Sequence, residues 1–558
     1  MFPKSQLLSL LLISITICLI FGTYIQSQSP QNPITREIVA GAERLIGLNF
    51  TDAKRDSMLE GLKEQLDNYE SIRKVQLANS VPPSIFFNPI PVGFEFEKKR
   101  KSSFKPGKQG KVVMPRDLED LAFYSVGQLS KLIKSQKVTS EELTKMYIKR
   151  LKKYGPKLEC VITLTESLAL MQARRADREI ASGKYRSPLH GIPYGAKDLL
   201  ATKATKTTWG SMPYKDQIID EDATVIKRLE EAGAVLVAKL TMGELAWGDV
   251  WYGGMTRNPW NYKQGSSGSS AGSAAATVAG LVSFSVGTET WGSIVSPSNR
   301  CGATGLRPTY GRVSRKGAMA LSWSMDKIGP ICRFVEDCAL VFNAIYGPDG
   351  EDQSVYDAPF NYNPDISLSS LRIGYLKNDF DSVKQEKQNN EAALSVLKSL
   401  GANLIPIELP KYPTNDLAII LSAEAGAAFD ELTRSGTDDL LVRQIKSAWP
   451  NVFRLSRFIP AVEYIQANRI RYLIIQDMQK LMNDVDLYVA PTFQGNNLLL
   501  TNLTGHPCVV IPNGFSKEGT PTSITFIGRL FDEGTILAVA KQYQDATDFH
   551  FKHPKLEE

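Results

Sequence analysis

The 558 residues are 43% hydrophobic and 22% charged, an ordinary globular balance with chain enough for one large domain or several average ones. The net charge of +6 is local, because Lys98 to Lys111 (KKRKSSFKPGKQGK) holds seven Lys/Arg and no acid; the broad basic face that nucleic acid needs is missing, and this segment reads as a solvated linker. The six cysteines, Cys18, Cys160, Cys301, Cys332, Cys338 and Cys508, show no CxxC spacing, which excludes a zinc site and a disulfide framework and leaves mostly buried free thiols.

The N-terminus, MFPKSQLLSLLLISITICLIFGTYIQSQSP, carries Lys4 and then no charge until Arg36. Its apolar run, Leu7 to Ile25, exceeds the ~7–15 residues of a usual signal core and approaches a membrane span. Residues 1–28 are therefore expected to be a signal peptide or an N-terminal membrane anchor, and the protein is expected outside the cytoplasm, whether periplasmic, secreted or membrane-anchored. Residues 29–114 read as a helical extension and the basic linker: SMLEGLKEQLDNYESIRKVQL has the period of an amphipathic helix, and VPPSIFFNPIP breaks it. Beyond the boundary near residue 114, Thr139 and Glu142 form a capping box. Leu143, Met146, Tyr147, Leu151 and Tyr154 then share one helical face, and Gly155-Pro156 is expected to stop the helix. Strand-like runs alternate with helical ones from there: VITL, GIPYGA, AVLVAKL and LVSFSV, then LRIGYL, ANLIPIEL, DLYVAP, PCVVIP and TSITFIG. That alternation predicts an α/β domain with a largely buried mixed sheet.

Between Lys263 and Gly280 the chain reads KQGSSGSSAGSAAATVAG. A linker would not run directly into an Ala-rich helix and a strand, and neither GK[ST] nor GxGxxG is present for a phosphate or dinucleotide. Gly268 to Gly272 matches GxSxG, but a nucleophile elbow follows an apolar strand and this stretch follows MTRNPWNYKQG. Only four histidines exist. His550 and His553 lie in a charged tail, and His190 and His506 sit beside Gly and Pro turns as structural residues. A nucleophilic serine would then need another base, and a buried lysine that is neutral because of its burial qualifies; Lys197 in GIPYGAKDLL ends an apolar strand.

With GSSAGSAAATVAG, SVGTETWGSIVSPSNRCGATGLRPTYGRVS, GIPYGAKD and SMDKIGPICRFVEDCALVFNAI in place, the chain resembles the amidase signature family from about Leu118 to Asp548. The resemblance implies an α/β fold with a large mixed β-sheet flanked by helices on both sides, spanning residues 115–550. It also implies a Ser, cis-Ser, Lys triad: nucleophile Ser293, cis-serine Ser269, base Lys197. The backbone N–H groups of Thr290, Trp291, Gly292 and Ser293 would form the oxyanion hole, with Ser270 and Ser273 as supporting hydrogen bonders and Ser266 and Ser267 as turn residues. Gly268 and Gly272 would permit close backbone approach. Two positions depart from the family's common GTDTGGS, Glu289 and Trp291; the indole is expected either to narrow the acyl pocket or cover it from water, or to pack in the core behind the loop.

The function implied is an exported amidase acting on a small carboxamide, N-acyl compound or peptide amide, with no cofactor or metal and no nucleic-acid partner. Related amidotransferase A subunits, which release ammonia for tRNA-dependent amidation, are the alternative enzyme. A catalytically silent anion-binding protein is the alternative of another class.

Overall fold

The computed structural model describes residues 34–96, 103–107 and 110–556. The apolar leader lies outside the described residues, as do Glu97 and, in the basic segment, residues 98–102 and 108–109. The chain divides into two compact units between Ala78 and Asn79, so residues 79–114, grouped by sequence with the extension, belong to the larger unit. In the smaller unit α1 (Arg36–Leu45) and α2 (Asp52–Ile72) are joined by Arg55, whose Nη2 donates to Glu43 at 2.8 Å. The helix expected over 57–77 thus starts earlier and ends earlier, and none of its residues is buried. Among the described residues no helix is long and apolar enough to cross a membrane.

In the larger unit the described part of the basic segment is largely exposed and is fastened at points along it. Phe104 stacks on Tyr362 with ring centroids 5.5 Å apart, and the Lys105 N–H donates to the Tyr362 carbonyl at 3.0 Å. An aromatic side chain inside a run of lysines finds an apolar partner, and the backbone follows it. The Thr139 and Glu142 box starts α3 (Ser140–Leu158), with both reciprocal bonds formed. This helix runs through Gly155-Pro156 and ends with Glu159 in the left-handed region. Pro156 removes one helical N–H but does not unwind the turn.

Strand β1 (Val161–Leu164) is followed by helix α4 (Glu166–Ala181), β2 (Pro193–Lys197), α5 (Thr224–Glu231) and β3 (Val235–Leu240). Helix α6 (Ala271–Val278), β4 (Phe284–Glu289), α7 (Val295–Cys301), β5 (Thr304–Arg307), β6 (Lys327–Cys332) and α8 (Val335–Ile345) come next. The rest of the sheet is β7 (Arg372–Leu376), β8 (Asn403–Ile407), β9 (Leu487–Pro491), β10 (Cys508–Phe515) and β11 (Pro521–Gly528), accompanied by α9 (Ala461–Asp484) and α10 (Glu533–Asp545). The eleven strands form one mixed sheet in the order β1-β3-β2-β4-β6-β5-β10-β11-β9-β7-β8. Pairing is parallel at β3-β2-β4 and at β9-β7-β8 and antiparallel elsewhere.

Both faces of the sheet are covered. Leu236, Val509 and Phe526 point into a core shared with α5, α8 and α10. On the other face Val235 and Val237 pack with α3, α4 and α6, while Val510 and Ile527 pack with α9. This two-sided burial explains why the strands read as continuous apolar runs rather than alternating ones. The five described cysteines are free and buried, as expected.

Helix α6 is buried along its whole length, and its glycine decides how close it lies to the sheet. A methyl group at Gly272 would sit 2.4 Å from the Cys160 carbonyl oxygen and 2.6 Å from the Thr241 nitrogen. Gly272→Ala is expected to lower stability by about 1–3 kcal/mol, as overpacking of a dense interior does. Denaturant titration checks this, and an unchanged midpoint contradicts it.

Candidate active site

Parallel strands β2 and β4 are neighbours, with Ala196 opposite Val286, so their C-terminal ends bring Lys197 and Thr288 together. Lys197 has no exposed surface. Its Nζ lies 2.8 Å from Ser269 Oγ, 3.1 Å from Ser270 Oγ and 2.9 Å from Thr288 Oγ1. Burial lowers its pKa to about 7, outweighing the opposing pull of Asp326 and Glu289. About half of the amines are then neutral at pH 7, against roughly 0.03% for an ordinary lysine.

The serines around this amine are not equivalent. Ser270 Oγ donates to the Thr288 carbonyl at 3.0 Å and accepts the Thr288 N–H at 3.1 Å. Its proton is committed, so toward Lys197 it only accepts. Ser269, 1% exposed, has no such commitment, and the Gly268-Ser269 peptide bond is cis, as the resemblance implies. A methyl at Gly268 would fall 1.8 Å from the Gly248 carbonyl oxygen, so only glycine fits the close approach there. Ser273 Oγ donates to the Val286 carbonyl at 3.3 Å and fixes α6 against β4. Ser267 occupies the left-handed region and its N–H donates to Asp249 at 2.9 Å, a turn role.

Ser293 follows β4 across a short turn and is 7% exposed. Its carbonyl accepts the Ser270 N–H at 3.1 Å, which sets it beside the Ser269 segment. The N–H groups of Thr290, Trp291, Gly292 and Ser293 donate to no acceptor among the described residues, leaving them available to a developing oxyanion. Gly292 takes the positive φ of this turn, +85°, while Trp291 does not. The indole is 43% exposed and does not line the adjoining cavity. It therefore does not pack in the core behind the loop; the turn leaves it partly in solvent.

The sequence did not reveal what holds this turn. Glu289, the other departure from the family pattern, is fully buried and has every oxygen occupied. Oε2 accepts the N–H groups of Ile294 and Val295 at 2.8 and 2.9 Å, and Oε1 accepts Arg307 Nη1 at 2.9 Å and Asn502 Nδ2 at 2.8 Å. Burial raises its pKa, but Arg307 and these bonds outweigh burial and keep it a carboxylate. At the front of the turn Thr290 Oγ1 donates to Asp326 Oδ1 at 2.5 Å. The histidines take no part: His506 Nδ1 is 2.7 Å from Thr504 Oγ1, with burial lowering its pKa to about 3, and His190 Nδ1 accepts the Arg186 N–H at 3.1 Å.

Known proteins resemble this chain at each level. Residues 142–500 match the family model described as Amidase. The A subunit of glutamyl-tRNA(Gln) amidotransferase from Acinetobacter baumannii is 34% identical over 491 residues, covering 79% of this chain and 99% of that protein. Native peptide amidase from Stenotrophomonas maltophilia superposes with a TM-score of 0.70 at 29% identity, covering 79% of this chain and 100% of its own. The amidotransferase A subunit of Thermotoga maritima superposes with a TM-score of 0.67 at 25% identity, over 80% of this chain and 100% of its own.

Removing the Glu289 charge leaves Arg307 buried without its carboxylate. Glu289→Gln is expected to destabilise the fold by about 3–5 kcal/mol and to lower turnover by loosening the 290–293 turn. Paired denaturant and activity measurements check this; a variant of native stability and native turnover contradicts it.

Proposed function

The chain belongs to the amidase signature family, and on that premise we propose that it hydrolyses the C–N bond of a small carboxamide, N-acyl compound or peptide amide through an acyl-enzyme on Ser293. The observation that carries this reading is the Lys197 amine, buried, held near neutrality and 2.8 Å from Ser269 Oγ. As Ser293 Oγ bonds to the carbonyl carbon, its proton passes to Ser269 while the Ser269 proton passes to Lys197. The carbonyl oxygen takes up the negative charge beside the free N–H groups of the 290–293 turn, where each well-placed donor is worth about 3 kcal/mol. The relay then reverses: Lys197 returns a proton through Ser269 to the leaving nitrogen, the C–N bond breaks, and the amine departs. A water molecule, deprotonated along the same path, releases the acyl group as a carboxylic acid and restores Ser293.

The same proposal locates the protein outside the cytoplasm, supported by the apolar run Leu7 to Ile25 and the uncharged stretch up to Arg36. A second reading, an amidotransferase A-type subunit, is favoured by the 34% identity to the Acinetobacter baumannii protein across nearly its whole length. Fractionation separates the two. Recovery outside the cytoplasm supports the exported amidase, whereas a cytosolic protein that copurifies with an amidotransferase B subunit supports the other.

Ser293→Ala is expected to abolish labelling by a covalent serine probe and to reduce amide turnover at least about a thousandfold while leaving the melting temperature unchanged. An adduct mapped to Ser270 in the unmodified protein overturns the assignment.

Because only the neutral amine accepts a proton, kcat of the unmodified enzyme is expected to rise about tenfold per pH unit below pH 7 and to level off above it. A folded Lys197→Ala protein loses most activity at every pH. A flat profile, or unchanged turnover in that variant, removes Lys197 from the mechanism.

A further inference from the structure

Glu289 ties down the chain on either side of the 290–293 turn, so the turn itself depends on other holds. Its far half has two. The Gly292 carbonyl accepts the Ser296 N–H at 2.7 Å, and the Ser293 carbonyl accepts the Ser270 N–H at 3.1 Å. Its near half has one hydrogen bond among the described residues, from Thr290 Oγ1 to Asp326 Oδ1 at 2.5 Å.

Asp326 is itself firmly placed. Its Oδ2 accepts the N–H groups of Leu321 at 2.8 Å and Ser322 at 3.0 Å, and its own N–H donates to the Ser322 carbonyl at 3.0 Å. These bonds close a turn from Leu321 to Asp326 around the carboxylate. Three donors on two oxygens suit the ionised form, which only accepts; burial raises the Asp326 pKa, and these bonds and Arg315 oppose burial. Two helices hold the closed turn from outside. Glu424, on the helix Ile419–Ala428, accepts Ser322 Oγ at 2.6 Å and the N–H and Oγ of Ser324 at 3.0 and 2.7 Å. Arg471, on α9, donates to Ser324 Oγ and to the Ser324 carbonyl, both at 2.8 Å. Ser322, Ser324, Glu424 and Arg471 are all buried, where a lost bond is not made good by solvent.

We infer that Asp326 is a positioning residue for the oxyanion turn and acts through the Thr290 hydroxyl, holding the first of the four N–H groups in place. The inference rests on the amide-hydrolase reading and goes beyond it by giving a role in the reaction to a residue outside the triad and the turn. The hydroxyl proton is what the link requires. A valine at 290 has nearly the volume of threonine and keeps the backbone N–H, but it gives Asp326 nothing to accept; a serine keeps the proton. An asparagine at 326 offers one accepting oxygen where three donors now share two. Without the link the turn is anchored at its far half only. Its donors then lose part of their effect on the charge that develops in the transition state, while ground-state binding is kept.

The test is the rate at which a fluorophosphonate modifies Ser293 in the full chain, since its phosphoryl oxygen takes the place of the carbonyl oxygen. Measured against probe concentration, the maximal rate separates from half-saturation. In Thr290→Val the maximal rate is expected to fall about tenfold or more while the half-saturating concentration stays within about twofold, and Thr290→Ser recovers most of that loss. Asp326→Asn is expected to show a similar loss. The double variant Thr290→Val, Asp326→Asn then loses no more than about threefold beyond the larger single effect, because both changes break one link. A native maximal rate in Thr290→Val, a loss that Thr290→Ser does not recover, or losses that multiply in the double variant overturn the inference. Should Asp326→Asn fail to fold, the two Thr290 variants decide. Failure of the unmodified chain to react at Ser293 instead overturns the amide-hydrolase reading.

Discussion

A lysine amine with three hydroxyl partners and no ion-paired carboxylate among the described residues is the constraint on which this structure turns. Lys239, equally buried on the adjacent strand, shows the ordinary solution: its Nζ lies 3.1 Å from Asp198. Lys197, one residue before that aspartate, is turned to the other side of the chain and meets Ser269, Ser270 and Thr288 instead. Moving its pKa from 10.5 to about 7 costs the folded state on the order of 4 to 5 kcal/mol at pH 7, because the unfolded chain keeps that proton. The sign follows from linkage: between pH 7 and 10.5 the unfolded state binds more protons, so this penalty shrinks as pH rises through that window. The deficit is offset by burial on both faces of an eleven-stranded sheet. It leaves the site with a base that works near neutral pH and needs no histidine.

The remaining parts of the site serve to hold hydroxyl groups and N–H donors in place around that amine. Ser270 accepts from the amine and keeps its own proton on the Thr288 carbonyl, which leaves Ser269 as the hydroxyl free to donate to Lys197. Glu289 ties both ends of one chain segment: it closes β4 and accepts the first N–H groups after Ser293. The turn between them is fixed without using its own N–H groups, and preorganised donors of this kind stabilise developing charge with little reorganisation. A carboxylate in this position is tolerable only because Arg307 and Asn502 approach from elsewhere in the fold.

Much of this was legible in the sequence, for reasons that differ from residue to residue. The apolar runs of β2, β3 and β4 and the capping box at Thr139 are local signals, and the structure has them where expected. The grouping of Lys197, Ser269 and Ser293 came from resemblance to a family, since nothing local links a strand end to a glycine-rich loop 72 positions away. The partners of Glu289 lie 18 and 213 positions along the chain, and no periodicity records such a contact. For Trp291 the sequence left core packing open, whereas the turn that takes its positive φ at Gly292 leaves the side chain 43% exposed. The segment after Asn79 looked like the end of an extension; its Asn79 side chain pairs with the Ala320 backbone, which only the folded chain brings near.

Titration of the Lys197 amine near neutrality inside the folded protein is tested, without relying on a substrate, by nitrogen-15 NMR of the lysine Nζ signals. The Lys197 resonance, assigned as the one missing from a Lys197→Arg spectrum, would be followed from about pH 5 to 11. A midpoint near 7, set apart from the exposed lysines, is expected. A midpoint at the ordinary lysine value of 10.5 would mean that the cradle holds an ammonium ion, and Lys197 could not serve as the base at neutral pH.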